Sequence, residues 1–381
     1  MKILHTADWH LGKSLYGRSL LEDQKWFLNS FLLPLLEREH PDAIVVAGDL
    51  FDRQVPPVEA ITLLDDFYTQ LHKMGIPLIA VAGNHDGAKR LSLGSTLLRQ
   101  SGIVLATRPE ELFHPIELTT ASEKICFWTL PFCEPAQIRE LLGQEEIHSM
   151  DEAFRAMIEK VEPKEEAVNV LVTHCFAAGG QIGASESPAF VGGSAQVGTD
   201  LFEKFDYTAL GHLHGPQKAG KGRYSGSPLT YSFDEANQKK SVTMVEWKNG
   251  GQEVTEIPVC PPNKVRVISG NFEELLQEAK ENPSEDYLFA ELCDTKPVYL
   301  PLDQLRPYYP NLLGLSSQWL LSKGEGDNQK LREQIHHRAD DLTIFEEFME
   351  QICGIEAEEE DKKLVQKMLR IDLEEEGEKA E

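Results

Sequence analysis

No stretch of this 381-residue chain approaches eighteen consecutive apolar residues, and the first carboxylate, Asp8, comes within eight residues of the start. Neither a membrane-spanning helix nor a secretory leader is therefore expected. Cysteine is scarce and scattered: Cys126, Cys133, Cys175, Cys260, Cys293 and Cys353 form no Cys-x-x-Cys pair. That spacing excludes a disulfide framework and suits a reducing cytoplasm, the expected location. A G-x-x-x-x-G-K-[ST] phosphate cradle is missing, so any ATP must be hydrolysed by another chain. Basic residues are in deficit, with 37 Lys and Arg against 63 Asp and Glu and a net charge of −26. The balance speaks against nucleic-acid binding through the overall field. It is uneven, however: residues 340–381 hold sixteen acidic and five basic residues, and the other 339 share a charge of −15.

What is there is an ordinary globular composition, 41% hydrophobic and 26% charged, long enough for a core domain plus smaller attachments. The first half alternates apolar β-rich runs (2–6, 43–47, 78–82) with helix-like stretches (22–39, 58–74), which predicts an α/β layered fold. Acidic amphipathic stretches follow near 135–162, then strand runs at 169–173 and 206–210 on either side of a Gly/Ser/Ala-rich loop. Runs at 241–245 and 253–257 flank Asn249-Gly250-Gly251, a hairpin signal. Pro261-Pro262 marks a boundary, so residues 1–260 read as one domain. Beyond it a β-α-β unit (264–269, 272–280, 287–292) extends to about residue 323. Two helical patterns at 340–375 present Leu342, Phe345, Phe348, Met349 and Ile352, then Leu364, Val365, Met368 and Leu369, at i, i+3, i+4 spacing. Such short helices need their own body or a partner to pack on.

Five short motifs place metal-ligating side chains just after predicted strands: Asp8-Trp9-His10, Gly48-Asp49, Gly83-Asn84-His85-Asp86, His174 and Gly211-His212-Leu213-His214. In an α/β sheet the carboxyl ends of strands open on one crevice, so all five are expected in one pocket. Asp8 and His10 stand on the same side if the segment is extended. For His212 and His214 a turn could instead send the imidazoles to different ions. The glycines permit sharp turns and close backbone approach. Asp8, His10, Asp49, Asn84, His174, His212 and His214 are too many ligands for one tetrahedral ion, so two ions are expected. If Asp49 bridges them, each receives four ligands of mixed oxygen and imidazole type, a set suited to Mn, Fe or Zn better than to all-oxygen Mg or Ca shells. Two adjacent ions imply phosphoester hydrolysis without a protein nucleophile. His85 is the candidate to protonate the leaving oxygen or to bind phosphate. Asp52 and Asp86 are candidates to orient His85 or the ligand imidazoles.

Each motif alone is weak, since Gly-Asp pairs and single histidines are common; their order at successive strand ends carries the inference. His5 lies inside the first strand and reads as a core histidine, whereas His40, His72, His114, His148, His336 and His337 lack any such context. Lys13, Tyr16, Arg18, Arg53, Lys89 and Arg90 flank the metal motifs as candidate DNA phosphate contacts, although surface solvation explains them equally well.

Together Asp8-x-His10, Gly48-Asp49-x-x-Asp52, Gly83-Asn84-His85-Asp86, His174 and Gly211-His212-x-His214 resemble the signature of the calcineurin-like metallophosphoesterases. The segments His5 to Gly12, Ala47 to Asp52 and Ile344 to Phe348 look more closely like the bacterial SbcD family of nuclease subunits. This resemblance implies a four-layer αββα phosphoesterase sandwich, a small α+β capping domain over a DNA groove, and C-terminal helices docked on the coiled coil of the SMC-like ATPase SbcC. It further implies two Mn ions, with Mg, Fe or Zn as other occupants: one held by Asp8, His10, Asp49 and His214, the other by Asp49, Asn84, His174 and His212. His85 matches the family's catalytic or phosphate-binding histidine. The implied activity is double-strand exonuclease and single-strand or hairpin endonuclease, stimulated by ATP through SbcC. The implied setting is DNA repair, recombination and replication at the nucleoid, with a homodimer of this chain inside a heterotetramer. Archaeal relatives carry histidine at the position of Asp52, so no phosphate contact is carried over to it. Two rival readings are a small-substrate phosphoesterase and a non-cutting scaffold; all seven ligand positions being filled speaks against the second.

Overall fold

A computed structural model describes residues 1–120, 123–181, 195–248, 250–319 and Lys362. The chain divides into two compact units, Met1–Glu291 with Leu300–Leu315, and Leu292–Tyr299 with Ser316–Glu381. The expected tail helices at 340–375 lie outside the described residues apart from Lys362, as does part of the 177–198 loop.

Two six-stranded sheets dominate the first unit. One orders its strands 251–258, 241–248, 2–6, 43–46, 78–81 and 103–106; the other runs 217–219, 222–224, 207–211, 168–174, 124–130 and 116–119. The central strands of each are parallel. They are buried on both faces, which is why they read as unbroken apolar runs and not as alternating ones. The inner faces share one buried cluster, with Ile3, Val45 and Ile79 from the first sheet and Phe127, Val172 and Ala209 from the second. Alternate residues point outward: Leu4, Ile44 and Leu78 pack with the helices Leu21–Glu39 and Val58–Met74. On the other side Trp128, Leu171 and Leu210 pack with Phe154, Met157 and Phe202. The result is the expected αββα layering.

The helix Val58–Met74 buries Ala60, Leu63, Leu64, Phe67 and Leu71, an i, i+3, i+4 stripe, and stops at Gly75 in the left-handed conformation. The stretch Leu21–Glu39 is helical throughout but passes through a π-helical segment at Phe27–Leu32. Pro34, in the first turn of the α-helical stretch Leu33–Glu39 that follows, has no N–H to donate back into it. The 241–258 hairpin forms with Lys248 opposite Gly251. After the double proline, strands Val265–Gly270 and Tyr287–Leu292 and helix Phe272–Glu281 appear as expected, and a third strand, Leu312–Ser317, completes a three-stranded sheet. Tyr287 donates its phenol proton to Asp23 at 2.6 Å, tying this small sheet to the first helix. Among the described residues no helix is long and apolar enough to cross a membrane.

Candidate metal centre

The strands Lys2–Thr6, Ala43–Val46 and Leu78–Val81 of one sheet, and Val168–His174 and Tyr207–Gly211 of the other, end at a common crevice. The two sheets pinch together there. A methyl group on Gly211 would sit 1.8 Å from the Ala47 carbonyl, and one on Gly48, whose φ is +94°, would sit 2.2 Å from His174 Nδ1. Both positions accept only glycine.

The loop geometry departs from the extended segment expected for Asp8-x-His10. The strand stops at Thr6, and Asp8 (φ 52°) and His10 (φ 45°) are left-handed, as are Asp49 (φ 52°) and His212 (φ 107°). Non-glycine residues pay roughly 1–3 kcal/mol each for such conformations, which persist where the surroundings over-determine them. Here they are over-determined by hydrogen bonds: the Asp8 N–H donates to the Gly48 carbonyl at 3.0 Å, the His10 N–H to the Asp49 carbonyl at 2.9 Å, and the His212 N–H to Asp8 Oδ1 at 2.9 Å.

The side chains so placed face one another across very short distances. His10 Nε2 lies 3.1 Å from His214 Nε2 and 3.7 Å from Asp49 Oδ2. His174 Nε2 lies 3.5 Å from Asp49 Oδ2 and 2.8 Å from Asn84 Oδ1, which is also 3.1 Å from His212 Nδ1. His174 Nδ1 donates to the Ala47 carbonyl at 2.9 Å, and His214 Nδ1 donates to Glu235 Oε1 at 2.8 Å. With Nδ1 committed outward, each of these two rings turns Nε2 towards the crevice, the nitrogen whose lone pair a metal would take. Lone pairs converging on oxygen lone pairs fit cations, with Asp49 near both clusters. His10 Nδ1 and His212 Nε2 are, besides, buried without a hydrogen-bond partner. Burial, foremost, holds the imidazoles of His10 and His174 below their ordinary range; burial and the nearby His174 push His212 down to about 3. Neutral rings are the ligating form.

His85 stands beside this set. Its ring packs edge-on to His10 at 4.7 Å, its N–H donates to Asp49 Oδ1 at 2.9 Å, and Nδ1 donates to the Asp52 carbonyl at 2.8 Å. Asp52 thus orients His85 through its main chain, while its carboxylate pairs with Lys13 at 2.8 Å. Asp86 differs from its expected role as an orienter of imidazoles. Its carboxylate instead accepts the N–H groups of Leu50 (3.2 Å), Phe51 (2.9 Å) and Gly83 (2.9 Å), clamping two ligand loops together. Burial and the neighbouring Asp49 push its pKa up. His5 is a core histidine as expected, with Nδ1 2.9 Å from the Tyr207 hydroxyl.

Of the flanking candidates, Lys13 is engaged by Asp52 and lies 5.7 Å over the Tyr231 ring. Exposed Tyr16 joins an aromatic group with Phe233 and Phe289. Arg90 donates to the Gln54 carbonyl at 2.9 Å, while Arg18, Arg53 and Lys89 are exposed. Four supporting residues carry no signal in the sequence: Gln24, Tyr231, Glu235 and Lys240. Gln24 Nε2 donates to the His10 carbonyl at 2.7 Å and its Oε1 accepts from Gly12 N–H at 2.9 Å. The Tyr231 hydroxyl donates to the Trp9 carbonyl. None lies in a metal motif, and only the fold brings them to the loops.

Comparison with known proteins matches residues 1–216 to the calcineurin-like phosphoesterase family and residues 261–352 to a family described as type 5 capsule protein repressor C-terminal domain. The chain is 34% identical over 384 residues to the SbcD component of the nuclease SbcCD of Staphylococcus epidermidis, an alignment covering 99% of this chain and all of that protein.

Proposed function

The chain belongs to the calcineurin-like phosphoesterases and, within them, to the SbcD nuclease subunits, and from that premise we propose that it cuts DNA phosphodiesters with two manganese ions. One observation carries this reading: Asp49 Oδ2 lies 3.7 Å from His10 Nε2 and 3.5 Å from His174 Nε2, between two clusters of inward lone pairs. Asp8, His10, Asp49 and His214 would hold one ion, and Asp49, Asn84, His174 and His212 the other. Bound there, the ions supply Lewis-acid activation for hydrolysis.

The chain's own residues do the rest. His85, steered by the Asp52 carbonyl through Nδ1, keeps Nε2 to contact phosphate or to protonate the leaving oxygen. Asp86 holds the loops of Asp49 and Asn84 in register. Residues 1–260 act as the nuclease domain, 264–323 as a cap along DNA, and 340–375 as the dock for the ATPase SbcC. In that assembly this chain forms a homodimer within a heterotetramer, works on DNA in the cytoplasm, and cuts both as a double-strand exonuclease and as a single-strand or hairpin endonuclease under ATP stimulation. The acidic tail then meets protein, which removes much of the objection raised by the net charge of −26.

The test is manganese-dependent cleavage of labelled duplex and hairpin DNA by the purified chain and by Asp49→Ala, with and without SbcC and ATP. Cutting that is lost in the variant and rises with the partner is expected. Hydrolysis of an aryl phosphodiester but of no DNA would transfer the site to a small substrate.

A further inference from the structure

His214 is gripped from behind by a buried ion pair. Glu235, at the end of a short turn twenty-one residues downstream, presents Oε1 to His214 Nδ1 at 2.8 Å and Oε2 to Lys240 Nζ at 2.6 Å. Lys240 Nζ also donates to the His214 carbonyl at 3.1 Å, to Ser227 Oγ at 2.9 Å and to Gln238 Oε1 at 2.9 Å. The side chains are only 0% and 4% exposed. Lys240 therefore fixes the main chain of His214 directly and its ring through Glu235. The Tyr231 N–H donates to Glu235 Oε2 at 3.1 Å, and the Tyr231 ring packs 5.5 Å from His10 and 5.9 Å from His214. Both imidazoles facing each other at 3.1 Å are thus oriented by one short segment, 231–240.

Burying a carboxylate and an ammonium together seldom stabilises a fold, because desolvation offsets the Coulomb gain, and an apolar pair of similar volume often does as well. A structural explanation alone is therefore weak. A carboxylate accepting from the outer nitrogen of an imidazole fixes the tautomer with its lone pair inward and makes the inward nitrogen a stronger electron-pair donor to a metal. We infer that Glu235 and Lys240 are positioning residues that tune His214 for one of the two ions, Lys240 holding the Glu235 carboxylate in its aim at the ring without itself touching the ion. The inference rests on the two-ion reading.

Calorimetric titration of the full metal-free chain with manganese chloride separates the roles, run on the parent, Glu235→Gln, Lys240→Met and the double variant, alongside the melting temperature of each metal-free protein. The expected result is that one of the two binding events weakens by about 10–100-fold in Glu235→Gln and in the double variant. The other event should hold, and the double variant should melt near the parent temperature. Two parent-like binding events in the double variant would overturn the positioning role. If a single variant does not fold, the double variant decides by itself. A parent chain that takes up no manganese would overturn the two-ion reading and the inference with it.

Discussion

At the residue scale, the site is built from side chains in backbone conformations that their type disfavours. Asp8, His10, Asp49 and His212 all have positive φ, and the strain is held by bonds from neighbouring loops. The same scale separates two acidic residues that look alike in sequence. Asp52 steers His85 with a main-chain oxygen, so Asp52→Asn should leave the aim of His85 intact while removing the ion pair with Lys13 and the carboxylate charge 3.8 Å from His10 Nδ1. His85→Ala should lower kcat by about 100- to 10,000-fold, the usual worth of a positioned proton donor, with manganese affinity within a few-fold of the parent. Single-turnover DNA cleavage and calorimetry of both variants check this; equal losses in the two would refute the division of labour.

At the element scale, the centre exists because two sheets end at one crevice and touch through glycines. The Gly48→Ala methyl would meet the His174 ring at 2.2 Å in a conformation with φ of +94°. The ring or the strand end must move, with a strain of roughly 1–3 kcal/mol for the left-handed backbone alone. Denaturant unfolding should show that loss, and manganese binding should weaken because His174 is displaced. The helix Leu21–Glu39 plays a comparable part: Gln24 braces the His10 loop, and its neighbour Asp23 accepts from Tyr287 of the small sheet. One helical turn so supports both the metal loop and the sheet that follows the double proline.

At the scale of the whole molecule, the metal-free protein should lose stability in mild acid. Burial holds the pKa of His10 and His174 low and takes His5 and His212 to about 3. Below the ordinary imidazole range near 6.5 the unfolded chain binds protons that the folded chain refuses, so folding stability falls as pH drops from 7 towards 4. The slope reaches about 1.4 kcal/mol per pH unit for each such ring. Asp86 acts oppositely, because its raised pKa lets the folded state take a proton first, but one carboxyl stands against four imidazoles. Melting temperature of the metal-free protein measured from pH 7 to 4 should therefore decline. A flat profile would show that these rings are protonated in the fold.

The candidate ligands are legible in the sequence because they follow from local grammar. A β-rich run, a turn glycine and a metal-binding side chain recur along the chain, and parallel strands bring their carboxyl ends together whatever the intervening loops do. The β-α-β unit after Pro261 is legible for the same reason, being written in periodicity. What surrounds the ligands is not. Glu235, Lys240, Tyr231 and Gln24 sit in unremarkable segments, and His214 meets Glu235 and Lys240 only when the chain returns after the last metal motif. Asp86 misleads because its sequence neighbour is His85, whereas its hydrogen bonds go to the backbone of Leu50 and Phe51, more than thirty residues away. Local pattern was enough to name the side chains on offer to a metal. Their aim came from the folded molecule, because aim depends on hydrogen bonds and packing between segments whose separation along the chain carries no local signal.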